Sequence, residues 1–448
     1  MDPEAIANGS TATLGQAAQR SLAVFPAGSN GEFNLPKELT TVLSRGKDCY
    51  VWDVNGKRYL DFSMGWGTNL VGHAREEVVA AVTEQAANGS NFAYVNEKSL
   101  QLAEEIKRLS PAVEYLRFCS SGTEAIMYCE RLARAFTGRS KVLKFEGAYH
   151  GANEIGVTSL FPKGLLDYPT PDPSSAGIEH SVKDHVLVAP YNDLGMTTKI
   201  VEQHKDDLAV VIVEPLHRCT PPMDGFLQGL RELTKKHGVL LIFDEVVTGF
   251  RLAYGGAQEY YGVIPDLVGY GKALGGGYPI GVFGGRADIM SIVNEDLLGK
   301  DKRYVWTASS LGCNTISASA ALAALQIYHR TDTYKHLHHI GRYVRNKMKG
   351  CLEKNDIPGH VIGDGPLAQV LFTEKLVYNY REQKLQENAA RRRAMMVGLF
   401  KRGVFLNPMG TKLYLSLKHT EEVCDQFVEI FNQTLQEIKQ NEKSTTTN

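Results

Sequence analysis

The chain has 448 residues, and its 49 Lys and Arg residues nearly balance its 50 Asp and Glu residues, which gives a formal net charge of −1 at pH 7. This balance creates no field that would recruit nucleic acid or an anionic membrane, so we expect neither as a partner. The 7 cysteines are scattered and form no CxxC pair, which argues against a disulfide framework and against a metal site. The chain shows no signal-peptide pattern and no run of about 18 apolar residues, so we predict a cytoplasmic protein.

The first element predicted along the chain is an antiparallel hairpin. Residues 50–62 alternate large apolar and polar side chains around Asn55-Gly56, the strongest short hairpin signal. Helical patterns follow at 76–87 and 99–109 and are interleaved with short apolar runs. This texture favours an α/β fold with a mostly parallel sheet in a large domain, and a smaller α/β domain made from the N- and C-terminal parts. The three predicted segments are 1–74, 75–325 and 326–448.

Four short apolar runs are predicted to be buried parallel strands of the large domain, because such strands are apolar at nearly every position. They are residues 115–119, 141–145, 208–213 and 239–243. Towards the C-terminus, apolar runs at 403–406 and 413–416 precede an amphipathic helix predicted over 420–439. The polar tail 441–448 is expected to be frayed.

Two charged side chains in the middle of the chain carry the strongest chemical signal. Asp244 closes the run 239–243, and Lys272 precedes three glycines that leave the backbone free to approach a ligand. Pyridoxal phosphate requires an amine that forms a Schiff base and a carboxylate that keeps the pyridinium nitrogen protonated. We therefore predict this cofactor, bound covalently by Lys272 and paired at its ring nitrogen with Asp244. A surface lysine and a carboxylate exposed past the strand end are the plain alternatives.

A phosphate site is predicted where the strand 115–119 meets the next helix. Ser121, Gly122 and Thr123 stand at the start of that helix, where free amides favour an anion; an ordinary helix capped by serine is the alternative. Tyr149 follows the next strand at the sheet edge where ligands of open α/β folds bind. Its ring is therefore predicted to stack on the cofactor, with a Tyr-His pair on the surface as the alternative.

Residues at the neighbouring strand ends complete the predicted site. Val246, two positions after the aspartate, would press on the cofactor ring from the side opposite the tyrosine. Glu214 ends the run 208–213 at the same edge and is a cofactor-binding candidate. His217 and Arg218 follow in a proline-rich loop and are candidates for contact with the substrate, with a solvated loop as the alternative. Arg218 would either accept a substrate carboxylate or turn outward to admit an uncharged amine or an amino sugar.

Taken in order, these motifs resemble the class III pyridoxal-phosphate aminotransferases of fold type I, in particular the branch that contains glutamate-1-semialdehyde aminomutase. The matching stretches are 121–125, 131–139, 144–151, 191–194, 213–215, 241–251, 265–267 and 271–272. By this resemblance Lys272 would form the internal aldimine. The other cofactor roles that the resemblance implies agree with those above, for Gly122, Thr123, Tyr149 and Asp244.

The same resemblance implies a homodimer with active sites at the interface, where a threonine hydroxyl of the neighbouring subunit completes the phosphate site. Aligning that motif on Asn314 places Ser310 where the threonine belongs, with Thr307 as the alternative. Two departures from the aminomutase pattern concern the substrate. The stretch 26–34 lacks the arginine suited to a substrate carboxylate, and Cys219 stands where those enzymes have an asparagine.

These departures favour an aminotransferase, which would move an amino group from an amine or amino acid donor to a carbonyl acceptor in a ping-pong cycle. Lys272 would carry the proton between the substrate carbon and the cofactor carbon. The alternative is an aminomutase, an isomerase that needs no second substrate. A cofactor-binding protein without activity is disfavoured by the intact catalytic positions. The expected partners are the small-molecule donor and acceptor and a second copy of the chain.

Overall fold

The computed structural model describes residues 15–31, 36, 39–312, 314–406 and 411–446. Its strands, in chain order, are β1 Leu43–Lys47, β2 Tyr50–Asp53, β3 Arg58–Asp61, β4 Tyr115–Cys119, β5 Lys141–Phe145, β6 Val186–Ala189, β7 Leu208–Val213, β8 Leu240–Asp244, β9 Leu267–Tyr270, β10 Gly281–Gly285, β11 His360–Ile362, β12 Leu367–Leu371, β13 Val404–Phe405 and β14 Leu413–Tyr414. Its α-helices are α1 Gln16–Val24, α2 Met64–Gly67, α3 Glu76–Ala87, α4 Glu97–Leu109, α5 Gly122–Thr137, α6 Glu154–Val157, α7 Val182–His185, α8 Leu194–His204, α9 Phe226–Lys236, α10 Gly256–Tyr261, α11 Ala287–Met290, α12 Thr315–Tyr328, α13 Thr333–Lys354, α14 Tyr380–Gln386, α15 Ala389–Lys401 and α16 Glu421–Thr446. In this part of the chain no helix combines the length and the apolar character needed to cross a membrane.

A seven-stranded sheet forms the centre of the larger domain. Its strand order is β4-β10-β9-β8-β7-β5-β6. The strands from β9 to β6 run parallel to one another, and β10 is antiparallel to both of its neighbours. The prediction of a mostly parallel sheet is confirmed. The prediction of a buried parallel strand at 115–119 is wrong, because β4 is an edge strand that pairs antiparallel with β10.

The apolar residues of the central strands divide between the two faces of this sheet. Leu143 and Val211 belong to the hydrophobic cluster on one face, and their neighbours Val142 and Val210 belong to the cluster on the other. Successive side chains of a strand point to opposite faces, so a strand covered on both sides is apolar at every position. This is why every residue of β7 is buried.

Helices cover both faces with apolar stripes. Ile126, Cys129 and Ala133 recur at helical spacing along α5 and are buried in the cluster on one face. On the other face, α9 buries Phe226 and Leu230 in the same way, together with residues of α4, α8 and α12. The central sheet is therefore a buried layer between two helical layers.

The two ends of the chain share a second, smaller core. β3 and β13 run parallel in one sheet, and β2 and β3 form the predicted hairpin. Leu60 and Phe62 of the N-terminal part pack with Val404 and Phe427 of the C-terminal part. This packing is the predicted smaller domain made from both ends, while the boundaries at 74/75 and 325/326 stay predictions. The expectation of a frayed tail from residue 441 is wrong as far as residue 446, because α16 continues to that point.

The carboxyl ends of the parallel strands meet at one edge of the large sheet. Val213 lies opposite Phe243 in the register of β7 and β8, and Asp244 lies opposite Gly269 of β9. The segments that leave β5, β7, β8 and β9 therefore start beside one another. In open α/β sheets this edge is where ligands bind.

Candidate active site

Asp244 lies at the carboxyl end of β8, with 5% of its surface exposed. Its Oδ2 lies 2.8 Å from Nδ1 of His150, and its Oδ1 accepts a hydrogen bond from the backbone N–H of Val246 at 3.1 Å. The adjacent Glu245 is fully buried and accepts a hydrogen bond from the backbone N–H of Ala257 at 2.6 Å, and burial raises its pKa to about 7. The Glu245 carboxylate is thus occupied by hydrogen bonds within the protein and is not available to a ligand. Asp244 is oriented by two bonds and keeps lone-pair capacity for a ligand.

His150 is a residue whose place in the site the sequence did not reveal. The Tyr-His pair could have been a surface pair, but the structure separates its two members. Tyr149 exposes 42% of its surface, whereas His150 is fully buried and contacts Asp244 through Nδ1. No described residue bonds its Nε2. The sequence feature that could have identified His150 is its position shortly after β5, because this strand ends at the same sheet edge as Asp244.

Glu214 joins two loops of the site. Its Oε1 accepts a hydrogen bond from the backbone N–H of Tyr149 at 2.9 Å, and its Oε2 accepts one from the backbone N–H of Arg218 at 3.2 Å. Burial alone would raise the pKa of this carboxyl, but the positive charges around it, among them Arg218 and Lys412, outweigh burial and hold the pKa below its usual range. Glu214 is therefore an anion that fixes both loops at once.

The N-terminus of α5 forms a cradle lined by glycine. Ser121 is the N-cap, and its Oγ accepts a hydrogen bond from the backbone N–H of Glu124 at 3.2 Å. The amides of Gly122 and Thr123 lie in the first turn, where a helix offers no acceptor, so they remain available to an anion. A Cβ on Gly122 would lie 2.8 Å from both methyl carbons of Val246. Only glycine lets the helix start approach the segment after β8 this closely.

The loop after Tyr149 packs directly on this helix start. The hydroxyl of Thr123 accepts a hydrogen bond from the backbone N–H of Ala152 at 3.2 Å. Gly151 has a φ of 104°, and a Cβ there would lie 2.8 Å from the Cα of Thr123. The predicted phosphate and ring contacts are thus brought together by one tight loop–helix contact.

Lys272 begins a short 3₁₀ turn directly after β9. Its φ of 45° lies in the left-handed region, which is uncommon outside glycine, and such strain clusters at functional sites. The side chain is half-buried, and no described residue forms a hydrogen bond or an ion pair with its amine. Exclusion of water lowers the pKa of this amine, although Tyr414 and Asp244 oppose the shift. A larger unprotonated fraction makes the amine a better nucleophile.

Arg218, predicted on the substrate side, is tied into the protein. Its Nε donates a hydrogen bond to the carbonyl oxygen of Gly147 at 2.8 Å, and its guanidinium lies 5.7 Å from the ring centroid of Phe161. Its Nη2 is buried and has no partner among the described residues. Arg218 therefore lies beside the site as expected, but its guanidinium is turned toward the loop that carries Tyr149.

His217, the other substrate-side candidate, is packed in the interior. Its ring stacks on Tyr191 with the centroids 4.7 Å apart, and 2% of its surface is exposed. Burial lowers its pKa to about 3, so the imidazole is neutral at pH 7. Neither ring nitrogen has a hydrogen-bond partner among the described residues.

Lys412 and Tyr414 were not identified from the sequence; Tyr414 belongs to β14, and Lys412 directly precedes that strand. Lys412 is 8% exposed, and its Nζ lies 5.4 Å from the ring centroid of Tyr414. Tyr414 packs in one hydrophobic cluster with Leu216 and Cys219 of the substrate-side loop. The strand from the smaller domain therefore places a lysine beside the catalytic edge of the large sheet. The only local signal was the spacing of two positions between Lys412 and Tyr414, which would place both side chains on the same face of an extended segment.

The segment predicted to reach a second subunit carries one free hydroxyl. Ser310 is exposed, and its carbonyl oxygen accepts a hydrogen bond from Asn91 Nδ2 at 2.9 Å. Its own hydroxyl makes no hydrogen bond to any described residue. By contrast, the hydroxyl of Thr307 accepts a hydrogen bond from Arg117 at 2.9 Å. Cys313 of the same motif lies outside the described residues.

Helix α14 of the smaller domain closes over the segment that leads to Tyr149. Arg381 forms a two-pronged ion pair with the buried carboxylate of Glu146, with distances of 2.6 and 3.0 Å. The Tyr168 hydroxyl donates to the same carboxylate at 2.9 Å. Tyr380 packs on Gly147, which has a φ of 81° and no room for a Cβ. We call the Glu146–Arg381 pair the interdomain clamp.

These features fit pyridoxal phosphate. The cradle at the start of α5 offers two backbone amides to a phosphate, and Tyr149 exposes its ring to a planar ligand. Asp244 presents an oriented carboxylate at the carboxyl end of β8. The amine of Lys272 comes from the neighbouring strand end. In the described part of the chain, no cluster of three or more His, Cys, Asp or Glu side chains could hold a metal ion.

Comparisons with known proteins bear on the family and the fold of the chain. The family model described as aminotransferase class-III matches residues 34–435. A glutamate-1-semialdehyde 2,1-aminomutase from Methanosphaera stadtmanae is 36% identical over 405 residues, which cover 90% of this chain and 93% of that protein. The crystal structure of an omega-transaminase from Sphaerobacter thermophilus superposes with a TM-score of 0.87 at 32% identity, covering 97% of this chain and 99% of the other. A beta-phenylalanine aminotransferase from Variovorax paradoxus superposes with a TM-score of 0.80 at 29% identity, covering 93% of both chains.

Proposed function

Because the chain belongs to the class III aminotransferases, we propose that it moves an amino group from an amine or amino acid donor to a separate carbonyl acceptor in a ping-pong cycle. Membership of this family confirms the cofactor, pyridoxal 5′-phosphate, and the fold type expected from the sequence. One observation carries the proposal. The oriented carboxylate of Asp244 and the unpaired amine of Lys272 start from adjacent strand ends of one sheet edge.

The polar groups of this edge suit different tasks. When bound, the cofactor supplies an electron sink for the carbon next to the transferred nitrogen. Asp244, held by His150 and by the amide of Val246, presents its remaining lone pairs to the ring nitrogen. The amine of Lys272, with its lowered pKa, serves as the attachment point and afterwards as the base that moves the proton at the substrate carbon.

The remaining cofactor contacts follow from position. The first-turn amides of Gly122 and Thr123 bind the phosphate, with Ser121 fixing the helix start. The exposed ring of Tyr149 covers one side of the cofactor ring, and Val246 contacts the other. Glu214 supports the site indirectly, because it holds the amide of Tyr149.

An aminomutase is the second candidate function. Relatives at 36–38% identity carry the name glutamate-1-semialdehyde 2,1-aminomutase. Similar solved structures carry both names: an omega-transaminase and a beta-phenylalanine aminotransferase, and also a glutamate-1-semialdehyde-aminomutase from Pseudomonas aeruginosa at 25% identity and a TM-score of 0.82. Two sequence features favour transfer between molecules: the N-terminal stretch lacks the expected arginine, and Cys219 replaces an asparagine. Incubation with glutamate-1-semialdehyde alone separates the candidates. An aminomutase yields only an isomer of this compound. An aminotransferase that uses it as donor and, through its aldehyde, as acceptor yields a diamine and a dicarbonyl compound instead.

We further propose a homodimer in which the hydroxyl of Ser310 reaches the phosphate site of the partner subunit. The surface around Ser310 is apolar and exposed, as expected for a surface that a second copy covers. Tyr94 is 83% exposed and Trp306 is 66% exposed, and Asn91 links their two segments through the carbonyl of Ser310. The free hydroxyl of Ser310 favours it over Thr307, whose hydroxyl is already bonded within its own chain.

Borohydride reduction followed by peptide mapping tests the proposed function. The cofactor should become fixed to the peptide that contains Lys272, and Lys272→Ala should lose this attachment together with turnover, because the attachment needs the amine that follows β9. The exposed lysine variant Lys401→Ala should retain both and serves as the control. Asp244→Asn should bind cofactor yet turn over about 100-fold more slowly or worse, because an amide cannot neutralise a protonated ring. Transfer of amino groups by Lys272→Ala at the normal rate would refute the assignment.

A further inference from the structure

Lys144 is a lysine in the interior of the large domain, and the proposed amino transfer does not use its amine. It belongs to β5, in which Val142, two positions earlier, points into the hydrophobic cluster on the face that α5 covers. Side chains two positions apart on a strand share a face, so Lys144 points toward the same helix. Its surface is completely buried. A lysine in this position needs partners, because a buried charge without them is costly.

The partners are four backbone carbonyl oxygens gathered around one nitrogen. Lys144 Nζ donates to the carbonyl oxygens of Ala148, Ile155, Gly156 and Thr158, at 3.2, 3.0, 2.8 and 2.6 Å respectively. We call these four oxygens the carbonyl cage. Burial lowers the pKa of the amine, but the cage opposes this shift. An ammonium offers three N–H donors where an uncharged amine offers two, so four acceptors favour the charged form.

Charged side chains surround this lysine but do not replace the cage. Those within electrostatic reach are the carboxyl groups of Glu130, Glu214 and Asp244 and the guanidinium of Arg218. Glu214 and Asp244 are already engaged by hydrogen bonds at the sheet edge, and burial raises the pKa of Glu130 on α5 to about 8. In the described part of the chain no carboxylate forms an ion pair with Lys144. The carbonyl cage is therefore its direct partner.

The cage joins the two ends of the loop that carries the ring-side contacts of the candidate site. Ala148 stands directly before Tyr149 and His150, whereas the other three oxygens belong to α6 and to the residue that follows it. The two ends also touch, because a Cβ on Gly156 would lie 2.3 Å from the carbonyl oxygen of Gly151. Loop 148–158 thus closes on itself around one nitrogen.

The closed loop depends on the positive charge at its centre. Without a cation, four carbonyl oxygens would face one another in a site closed to water, which is unfavourable for each of them. The loop would then open to solvate these oxygens. Opening would displace the ring of Tyr149, and it would release His150 from the Asp244 carboxylate that it contacts at 2.8 Å.

We propose that the Lys144 ammonium is a fixed cation around which loop 148–158 closes, and that it thereby positions Tyr149 and His150 for the cofactor. Lys144 is a positioning residue, because its amine is enclosed by the carbonyl cage and acts through the loop. The roles of Tyr149 and His150 rest on the proposed function, whereas the closure of the loop does not.

Hydrogen exchange of the cofactor-free protein tests the closure without turnover. Lys144→Ala should speed exchange at the amides of 149–158 by about 10-fold or more and leave β7 and β8 unchanged, because only the loop loses its central charge. Lys141→Met is the matched control. It removes a lysine of the same strand whose Nζ lies 2.7 Å from Asp207, and it should resemble the unaltered protein. Lys144→Gln keeps two N–H donors and should lie between; it replaces the alanine variant if that variant does not fold.

Binding of pyridoxal 5′-phosphate to the same variants tests the positioning. The Kd should rise by about 10-fold or more in Lys144→Ala, which corresponds to about 1.4 kcal/mol. At saturation the visible circular dichroism of the bound cofactor should weaken, because the orientation of its ring depends on the ring of Tyr149. Borohydride should still fix the cofactor to Lys272 under these conditions, which shows that the attachment site is intact.

Added salts test the carbonyl cage itself. Backbone carbonyl oxygens can replace the water shell of a potassium ion, and potassium does not react with the cofactor aldehyde as an added amine would. Potassium chloride should therefore restore most of the slow exchange and of the cofactor affinity in Lys144→Ala. Lithium chloride and tetramethylammonium chloride at the same concentration should not, because one ion is too small for the cage and the other too large.

Three results would overturn the inference. They are unchanged exchange and affinity in the Lys144 variants, equally faster exchange in the loop and in the central strands, and recovery that is the same with all three salts or absent with potassium. Failure of the proposed function has a different signature. A protein in which potassium restores the loop and the cofactor affinity of Lys144→Ala, yet whose unaltered form transfers no amino group, would refute the aminotransferase and leave the role of Lys144 standing.

Discussion

The interdomain clamp makes a strong prediction about how the smaller domain holds the catalytic edge. Arg381→Met removes the guanidinium and leaves the carboxylate of Glu146, whose side chain is 4% exposed, without its cationic partner. The methionine still covers the ring of Tyr168, on which the guanidinium now lies at 3.9 Å. The substitution therefore leaves a buried carboxylate without a cationic partner and creates no cavity.

The expected magnitude follows from the geometry of the pair. Removing one partner of a buried ion pair costs about 3–5 kcal/mol. The lower end applies here, about 3 kcal/mol, because Arg381 is partly exposed and the hydroxyl of Tyr168 still donates to the carboxylate. Adding Glu146→Gln to Arg381→Met should recover about 1–2 kcal/mol, since an amide is less costly to bury than an unpaired charge.

Hydrogen exchange measures this loss where it arises. The clamp holds α14 on the segment before Tyr149, so the free energy of local opening at residues 380–386 should fall by the predicted amount. Arg381→Lys keeps the charge without the two-pronged geometry and should fall between the two proteins. A change below about 0.5 kcal/mol in Arg381→Met, or an equal loss in the double variant, would refute the reasoning.

Two further predictions concern stability and assembly. Burial lowers the pKa of His419 from 6.5 to about 4, so below pH 6.5 the unfolded chain binds a proton that the folded chain excludes. The free energy of unfolding should therefore fall by about 3 kcal/mol between pH 6.5 and pH 4. In acid titrations monitored by circular dichroism, His419→Gln should reduce the dependence of this free energy on pH in that range. An unchanged slope in the variant would contradict the assignment. Ser310→Ala should weaken retention of cofactor during dialysis, whereas Thr307→Val should not, and the opposite order would identify Thr307 as the residue that serves the partner subunit.

Local sequence patterns were sufficient to predict the buried central strands of the large sheet. The runs at 141–145 and 208–213 became strands with those boundaries, and Asp244 ended the next one as expected. These strands are covered on both faces, so nearly every position is apolar and the signal lies within a few consecutive residues. The helix at 76–87 was predicted with equal accuracy.

β10 could not be predicted in the same way. Three of its five residues are glycines, which are depleted in strands because they contribute no side chain to packing. The structure supplies the reason for them. A Cβ on Gly281 would lie 2.2 Å from the carbonyl oxygen of Ser121, and one on Gly285 would lie 2.3 Å from that of Asp266. The requirement comes from neighbours distant in sequence, so no local propensity reveals it.

The same limit applies to the site. Asp244 and Lys272 could be identified because each follows its own strand in a recognisable context. His150 gains its importance from a contact with Asp244, far along the chain. Lys412 gains its place because its neighbour Tyr414 packs with Leu216 and Cys219, which are also distant in sequence. A single sequence gives the type of such a residue but not what lies opposite it.

The double engagement of Glu214 bears on redesign of this protein. A graft that replaces the loop after it to admit a new substrate would disturb the amide of Arg218, and the same carboxylate also holds the amide of Tyr149. A change in substrate selectivity through this loop therefore also affects how tightly the protein retains pyridoxal phosphate. Engineers who vary the loop should start the exchange beyond residue 218 and monitor cofactor loss in every library member.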